Sequence, residues 1–301
     1  MQTVHKTVLL KETIEGLNLD TKKEGIVVDG TFGGGGHSVE VLKLYPKVKI
    51  IGIDQDKSAW KKGEVKFKGL EDRFTFVNGN FRDIKILVNG LDIEQVDGVI
   101  LDLGLSSDQL ENAGRGFSFM RDEPLMMTMK ENPNEDDVTA KDIVNTWSEE
   151  SLADIIYGYG EEKLARRIAK GIVEAREEKE INTTFELVEV IRNSIKAKYT
   201  KGKIHFATRT FQALRIAVND ELNTLEKGLE GGFDILKKGG RMSVISFHSL
   251  EDRIVKNFYK KKKEEGVAIL INKKPIIASD EELKINNRSR SAKLRVMEKL
   301  N

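Results

Sequence analysis

Four apolar runs in the first third of the chain each end at, or lie just before, a residue that could contact a ligand. The runs and their residues are 26–29 with Asp29 and the glycines at 33–36, 48–53 with Asp54, 74–77 with Phe81, and 96–103 with Asp102. If these runs are neighbouring parallel strands, their carboxyl ends meet at one edge of a sheet, where open α/β sheets bind their ligands. The spacing therefore predicts a single binding site at that edge.

The residue types at this edge suit a nucleotide-type ligand. A glycine-rich turn lets the backbone approach a ligand closely, and the amino end of the helix that follows attracts a carboxylate. Asp54 is placed to accept both ribose hydroxyls, and Asn80 with Phe81 could cover the adenine. Structural roles are the alternative: the glycines as a flexible turn, Asp54 as a turn residue or helix N-cap, and Phe81 as a core aromatic. Asp29 either contacts the ligand or orients the glycine turn.

Several other ligands and mechanisms are excluded or disfavoured. The glycines do not satisfy G-x-G-x-x-G in any register, which disfavours a dinucleotide-binding protein, and no G-x-x-x-x-G-K-[ST] P-loop occurs. The chain has no cysteine, which excludes disulfides, thiolate metal ligands and a cysteine nucleophile. His37, His205 and His248 show no metal-ligand spacing, so we expect hydrogen-bonded structural roles for them and no metal.

The elements that must position these residues alternate apolar, β-branched runs with helical stretches, which is typical of βαβ units and a parallel sheet. The four runs are predicted strands and 38–44 a helix; later, 242–247 is a strong strand and Ala292 to Met297 a last edge strand. A long amphipathic helix is predicted to carry apolar residues from Phe211 to Leu229 on one face.

Between these blocks, from about 108 to 205, no strand-like run occurs. Apolar residues recur at helical spacing over 151–173, and a capping box begins at Thr183. We therefore predict an α/β fold whose sheet domain is discontinuous, over 1–107 and 206–301. The segment 108–205 is predicted to be a helical insertion that contacts the substrate.

Length and charge set wider limits. A chain of 301 residues can bury one large core or two smaller ones. Its net charge of +1 means that any nucleic-acid surface must be local. No apolar run is long enough to span a membrane and no secretory signal is visible, so we expect a cytoplasmic protein. The sequence does not determine the oligomeric state, and a homodimer is one form that it allows.

Five blocks, in order along the chain, resemble a known family of enzymes. They are 29–38 (DGTFGGGGHS), 101–110 (LDLGLSSDQL), 115–121 (RGFSFMR), 207–215 (ATRTFQALR) and 246–253 (SFHSLEDR). With them the chain is similar, from His5 to Arg295, to the ribosomal RNA small-subunit methyltransferase H family of the MraW type. The resemblance covers nearly the whole chain, and five ordered blocks make it specific.

The resemblance implies a Rossmann-like methyltransferase sheet that uses S-adenosyl-L-methionine (AdoMet), with a helical insertion between the fourth and fifth strands. It implies methyl transfer to the exocyclic N4 of a cytidine in the decoding region of 16S rRNA. The expected partners are therefore 16S rRNA and the small ribosomal subunit. Carried over by position, the cofactor contacts are Gly35, Gly36, His37, Asp54, Phe81, Asp102 and Gln109.

The chain departs from the family pattern at three places. Where the family has P-L-D-M-R-M, Met126 and Thr128 replace the acid and the arginine. Phe206 replaces the proline of H-P-A-T-R-T, and Asn287 replaces that of N-P-R-x-R-S. Two alternatives stay open: a divergent copy that methylates another nucleic-acid amine, and a non-catalytic assembly factor that binds AdoMet or rRNA.

The implied chemistry indicates which residues would act. Cytosine N4 is a poor nucleophile because its lone pair is delocalised into the ring. Direct in-line attack on a sulfonium methyl group needs positioning at roughly 3–3.5 Å and acceptors that orient the amine hydrogens. We predict that Asp102, with Ser106, Ser107 or backbone carbonyls of the same turn, holds the amine. The alternative is that Asp102 binds only the amino group of the cofactor and that the serines cap a helix.

The target base must be unpaired or flipped to reach such a site. Phe117, Phe119 and Phe206 are candidates for stacking on it, and a place in the core is the alternative for each. The candidate phosphate-binding residues are Arg115, Arg121, Arg209, Arg215, Arg253, Arg288, Arg290, Lys293 and Arg295.

Overall fold

The computed structural model of the protein describes residues 7–105, 110, 114–130, 133–196, 199–200 and 204–301. The chain divides into two compact units. Unit 1 comprises Met1–Gly104 and Leu222–Asn301, and unit 2 comprises Leu105–Glu221. The boundary therefore follows Glu221, whereas the sequence placed the return to the sheet domain at residue 206.

Unit 1 is built on a seven-stranded sheet. The strands are β1 Gly25–Asp29, β2 Val48–Asp54, β3 Phe74–Asn78, β4 Val96–Asp102, β5 Leu236–Ser246, β6 Ala268–Leu270 and β7 Lys293–Lys299. Their order in the sheet is β3-β2-β1-β4-β5-β7-β6. Neighbours among β1 to β5 pair in parallel, whereas β7 is antiparallel to β5 and β6. The predicted α/β fold with a parallel sheet is confirmed.

The strand order brings the predicted site residues to one edge of the sheet. β1 pairs with β2 on one side and with β4 on the other. Asp29, Asp54 and Asp102 are the last residues of these three strands, so their side chains start from neighbouring strand ends. The chain order reverses between β1 and β4, and ligands of open α/β sheets bind at such a switch point.

The helices in chain order are α1 Leu10–Leu17, α2 Gly36–Leu44, α3 Lys57–Gly63, α4 Ile84–Asn89, α5 Ala140–Thr146, α6 Glu149–Gly158, α7 Ala165–Glu178, α8 Thr184–Ser194, α9 Thr208–Asn219, α10 Glu221–Ile235, α11 Ser249–Glu264 and α12 Asp280–Ile285. Apolar residues of α10 and α11, among them Leu229 and Val255, cover one face of the sheet. Residues of α1 and α2, among them Ile14 and Leu42, belong to the cluster on Val27 and Ile50. The sheet is thus covered on both faces, as its continuous apolar strands require.

Two predictions about these elements are wrong. The predicted long helix is two helices, because Asp220 between α9 and α10 has φ 47° and breaks the helical backbone. The last strand, β7, is not at the edge of the sheet: the short strand β6 pairs beyond it.

Unit 2 is helical in its described part and contains α5 to α9. Its core is built from buried aliphatic residues of these helices, such as Ile143, Leu152 and Ile168. The capping box predicted at Thr183 is confirmed: its side chain accepts the N–H of Glu186, whose carboxylate accepts the N–H of Thr183. No helix among the residues that the structure describes is long and apolar enough to cross a membrane.

Candidate functional site

The glycine-rich loop between β1 and α2 is held against the end of β2. Gly33 and Gly35 have φ of 51° and 67°, which glycine adopts without strain. The N–H of Gly33 donates to Asp54 Oδ2 over 2.8 Å, and the N–H of Asp56 donates to Oδ1 over 2.8 Å. Asp54 therefore fixes the loop through its carboxylate. The contact of Asp54 with a ribose stays a prediction.

The loop also approaches its neighbours more closely than a side chain would allow. A Cβ on Gly35 would lie 2.8 Å from ring carbons of Phe32 and Phe67. A Cβ on Gly36 would lie 1.9 Å from Thr7 Oγ1. Gly36 begins α2, and the first N–H groups of a helix have no partner within it. The loop thus brings backbone donors to the switch point.

Asp29 is buried beneath this loop. Its side chain accepts from Ser38 Oγ over 2.6 Å and from the N–H of Thr31 over 3.3 Å, and the residue is 1% exposed. Burial raises the pKa of Asp29 to about 6, against the lowering effect of the Ser38 hydrogen bond. These contacts support the interpretation that Asp29 orients the glycine loop, while direct ligand contact stays a prediction.

Asp102 combines a fixed backbone with an unsatisfied carboxyl oxygen. Its N–H donates to Thr31 Oγ1 over 2.6 Å. Its side chain keeps 25% of its surface exposed, yet Oδ1 is buried and has no hydrogen-bond partner among the described residues. Burial, with the nearby charges of Asp29 and Glu251, raises its pKa well above the usual range. A buried, unpaired acceptor is costly, so this oxygen is a candidate ligand-binding atom.

His37 lies beside Asp102, with Nδ1 at 3.8 Å from Oδ2. Its Nε2 is 3.2 Å from the carbonyl oxygen of Val8, and the residue is 4% exposed. The expected hydrogen-bonded structural role therefore fits His37. The cofactor contact implied by the resemblance stays a prediction.

Glu251, in the first turn of α11, is a fourth acid at this end of the sheet. It is 3% exposed, and its Oε2 accepts the N–H groups of Phe247 and His248 over 2.8 and 3.2 Å. The side chain of His248 caps α11 by accepting the N–H of Glu251. His248 Nε2 also lies 3.1 Å from Glu251 Oε1, though not in hydrogen-bonding geometry. The sequence indicated no role for Glu251.

Phe81 follows β3 in a short 3-10 turn, Phe81–Asp83. Its ring is half-buried and packs so closely on α10 that a Cβ on Gly228 would lie 2.4 Å from it. Asn80 caps the same turn by accepting the N–H of Arg82 over 3.0 Å. Packing against α10 thus explains the buried part of the Phe81 ring. Because the rest of the ring is exposed, a contact with adenine stays a prediction.

Three predicted residues, Ser106, Ser107 and Gln109, lie outside the described residues. Two contributors that the sequence did not reveal are Thr31 and Ser38, which hold Asp102 and Asp29. Both belong to the block 29–38, so the resemblance marked the segment. Only the fold shows which of its hydroxyl groups turn inward.

The carboxyl groups and backbone N–H groups at this edge of the sheet fit AdoMet, which carries a sulfonium cation, a ribose and an amino-acid group. Four carboxyl groups lie near the switch point, and their charges influence one another: Asp29, Asp54, Asp102 and Glu251. A concentration of negative charge favours a bound cation. The amino end of a helix such as α2 attracts a carboxylate, and Asp54 is the residue predicted to accept from the ribose.

In unit 2, the structure separates the candidate RNA-binding residues. Phe117 is 7% exposed and belongs to the core, which confirms the core alternative for this residue and rules out stacking on a base. Phe119 and Phe206 remain half-buried. Arg115 is buried and donates to the carbonyl oxygens of Met129 and Lys130, which makes it a structural residue.

Two further predicted phosphate-binding arginines form hydrogen-bonded ion pairs inside their own unit. Arg215 makes two hydrogen bonds of 2.7 Å to the carboxylate of Glu221 in unit 2. Arg295, 8% exposed, donates to Asp252 over 2.7 Å in unit 1. These pairs favour a structural role. For the other basic residues, phosphate binding stays a prediction.

Replacing Asp29 by Asn should remove a pH-dependent cost of folding. The folded protein keeps the Asp29 proton up to about pH 6, whereas an exposed aspartate releases it near 3.8. The stability that this group contributes is therefore present at low pH and is lost as the pH rises from about 4 to 6. The full difference is about 3 kcal/mol. We expect the free energy of unfolding of Asp29→Asn, relative to the parent protein, to increase between pH 4 and 7.5. An equal difference at both pH values would contradict the burial argument.

Comparison with known protein families gives one match along the chain. The family model described as the MraW methylase family matches residues 2–300. The match includes all the site residues named above.

Individual relatives agree with that match. A protein of Clostridium botulinum (strain Kyoto / Type A2) named "Ribosomal RNA small subunit methyltransferase H" is 49% identical over 100% of both chains. A protein of the same name from Carboxydothermus hydrogenoformans is 47% identical over 100% of this chain and 99% of its own. A third, from Persephonella marina, is 48% identical over 91% of this chain and 92% of its own.

Proposed function

The chain belongs to the MraW methylase family, and from that premise we propose that it methylates the exocyclic N4 of a cytidine in the decoding region of 16S rRNA. It is an AdoMet-dependent rRNA methyltransferase with a Rossmann-like sheet. The position on the base, the region of the rRNA, the small subunit as partner and the cytoplasm as location belong to the proposal.

One observation carries the choice of an exocyclic amine as the target. The buried Oδ1 of Asp102 is an acceptor without a partner among the described residues, and it lies at the switch point of the sheet. An amine offers two N–H donors, whereas a ring carbon offers none. The chain also has no cysteine for the covalent adduct that attack at a cytosine carbon would need.

Asp54 and Asp102 have different roles in the proposed reaction. AdoMet, when bound, supplies an electrophilic methyl group on a sulfonium centre. Asp54 and the amino end of α2 would hold it, together with Gly35, Gly36, His37, Phe81 and Gln109. Asp102 orients the amine through Oδ1, with Ser106 and Ser107 beside it in the chain. The amine must lose a proton when it is methylated, and a carboxylate with a raised pKa is a better acceptor for that proton than an ordinary aspartate.

Unit 2 would contact the RNA around the target base. The departures at Met126 and Thr128 lie there, in a loop whose backbone is firmly held. Asn219 donates to the carbonyl oxygen of Met127 over 2.8 Å and accepts the N–H of Met129 over 2.8 Å. Thr128 is 4% exposed, and its hydroxyl accepts the N–H of Lys130. The loop therefore has a defined conformation without the family's acid and arginine, which supports an active enzyme.

The same departures favour a second candidate, a divergent enzyme that methylates another nucleic-acid amine. Replacing an acid and an arginine by Met126 and Thr128 removes two charged groups from unit 2, and charged groups are common determinants of nucleic-acid contacts. The family match counts against the remaining alternative from the sequence, a non-catalytic assembly factor.

A methyl-transfer assay on ribosomal subunits separates these candidates. The protein would be incubated with labelled AdoMet and small subunits from a strain that lacks the endogenous activity, and the product mapped by nuclease digestion and mass spectrometry. We expect label in N4-methylcytidine at the decoding region. Label in another nucleoside would select the divergent enzyme. No label, with AdoMet binding intact by calorimetry, would select the assembly factor.

A further inference from the structure

We propose that unit 2 carries a stacking site for an unpaired RNA base other than the target cytidine, formed by the rings of Phe119, His205 and Phe206 with Arg192 beside them. We call these four residues the aromatic cluster. The proposal rests on the proposed function, since it assumes an RNA substrate, and it adds a contact that neither the family match nor the relatives assign.

The rings are arranged as a partly open stack. The rings of Phe119 and His205 are nearly parallel, with centroids 4.5 Å apart and planes at 11°. His205 and Phe206 follow with centroids 4.2 Å apart and planes at 33°. Phe119 and Phe206 are half-buried and His205 is exposed. A structural core would bury all three rings, whereas this arrangement leaves ring surface available to solvent.

The stack is anchored at its inner end, which keeps it in place without a ligand. Phe119 meets the buried Phe211 edge to face, with centroids 5.5 Å apart and planes at 84°. The N–H of Ala207 donates to Nδ1 of His205 over 3.3 Å, which leaves the ring proton on Nε2 in the neutral form. A rigid platform loses little conformational freedom when a base stacks on it.

The electrostatics of the aromatic cluster suit a nucleotide. Partial burial and the nearby charge of Arg192 lower the pKa of His205, so its ring is neutral at neutral pH. The guanidinium carbon of Arg192 lies 5.7 Å from the centroid of the Phe206 ring. Arg192 also donates to Glu189 over 2.6 Å, in an exposed pair that contributes little and can be rearranged. Aromatic rings with an adjacent cation are the usual means of binding single-stranded RNA, the rings for a base and the cation for a phosphate.

Phe206 supplies the third ring, at a position where the chain departs from the family pattern. The family pattern has proline at that position, and proline offers no aromatic face. The extra ring enlarges the stack in the unit that has lost two charged residues at 126 and 128. The chain would therefore rely more on stacking to hold its RNA than the family pattern indicates.

Fluorescence of 2-aminopurine tests the stacking site directly, because stacking quenches it. The probes are decoding-region RNA oligonucleotides in which 2-aminopurine replaces, one at a time, the bases that flank the target cytidine. We expect quenching on binding at one or more positions. His205→Ala should abolish that quenching and weaken RNA binding about tenfold, within the range measured for loss of a stacked base. Phe206→Pro should have a smaller effect in the same direction.

Controls separate a stacking role from a folding defect. Phe185→Ala removes an exposed phenylalanine of α8, outside the aromatic cluster, and should change neither quenching nor affinity. Phe206→Leu, which keeps an apolar side chain without a ring, serves if the proline variant does not fold. In every folded variant AdoMet affinity should equal that of the parent. The variants of His205 and Phe206 should show a raised KM for RNA with kcat retained, whereas Phe185→Ala should keep the parent's KM.

The results distinguish failure of the stacking site from failure of the proposed function. If the parent protein methylates small subunits, and His205→Ala and Phe206→Pro keep the parent's quenching and RNA affinity, the stacking site is overturned while the function stands. If quenching depends on His205 but the parent transfers no methyl group to the cytidine, the stacking site stands and the proposed function is overturned.

Discussion

Asp102→Asn is expected to lose at least about 100-fold in kcat for methyl transfer, the lower end of the effect of a general base. Asparagine keeps the size of the side chain and one acceptor oxygen, but it cannot take the proton that the methylated amine must lose. The same change removes a buried acid whose pKa burial raises well above the usual range. The variant should therefore be no less stable than the parent at neutral pH, as is common when a functional group is costly to folding.

Two measurements decide the role of Asp102. Steady-state methyl transfer at saturating AdoMet and RNA gives kcat, and calorimetry gives the AdoMet dissociation constant. A fall in kcat with little change in AdoMet affinity supports an orienting and proton-accepting role. A weaker affinity with kcat retained would instead mean that Asp102 serves only the cofactor.

Asp97→Asn is the matched control, because Asp97 lies near the amino end of the same strand, β4. Its carboxylate accepts the N–H of Ile26 over 2.7 Å and pairs with Lys237 at 3.1 Å. Its replacement should lower stability modestly and leave methyl transfer unchanged. Equal loss of activity in both variants would indicate general damage to β4 and would sink the proposed role of Asp102.

The sequence correctly predicts those elements whose local pattern agrees with their place in the fold. The apolar runs ending at Asp29, Asp54 and Asp102 are strands whose last residues lie at one edge, as parallel pairing requires. The capping box at Thr183 was visible because its two partners are three residues apart. Such features depend on spacing along the chain, which the sequence displays directly.

The wrong predictions concern features that depend on tertiary structure and not on spacing along the chain. The apolar residues from Phe211 to Leu229 keep their helical spacing on both sides of Asp220, so the sequence predicts one helix. The positive φ of Asp220 divides it into two. β6 has only three residues, too few for a strand pattern, so the edge of the sheet was assigned to β7. Residue type does not distinguish a core ring from an exposed one, so the sequence leaves both a stacking role and a core position open for Phe117, and the structure selects the core.

The hydrogen bonds of the acids in the candidate site could not be predicted from the sequence either. Asp29 and Asp102 look alike in the sequence, since each ends an apolar run. The structure gives Asp29 two hydrogen bonds and leaves Oδ1 of Asp102 with none among the described residues. That difference depends on where Thr31 and Ser38 turn in the folded loop, and it assigns the two acids different roles.

Gly35→Ala should disable the cofactor loop more severely than the loss of any one side chain in it. The change forces alanine to φ 67° and places its Cβ 2.8 Å from Phe32 and Phe67. These rings cannot easily move, because Phe32 and Phe67 also pack on Phe74 with centroids 5.2 and 4.3 Å away. Backbone strain and overpacking together should lower the free energy of unfolding by about 2–5 kcal/mol. Displacement of the loop should reduce methyl transfer by about 100-fold.

Gly69→Ala separates the effect of backbone strain from the effect of overpacking. Gly69 also has a positive φ, of 81°, but no atom lies within 4 Å of the position that a Cβ would take. Its replacement should cost only the backbone strain, about 1–2 kcal/mol, with AdoMet affinity by calorimetry unchanged. If Gly35→Ala lost no more stability than Gly69→Ala and bound AdoMet normally, the loop would not require close approach at Gly35. If it bound AdoMet weakly although folded, the close packing of the loop on Phe32 and Phe67 would be what holds the backbone donors of α2 in place for the cofactor.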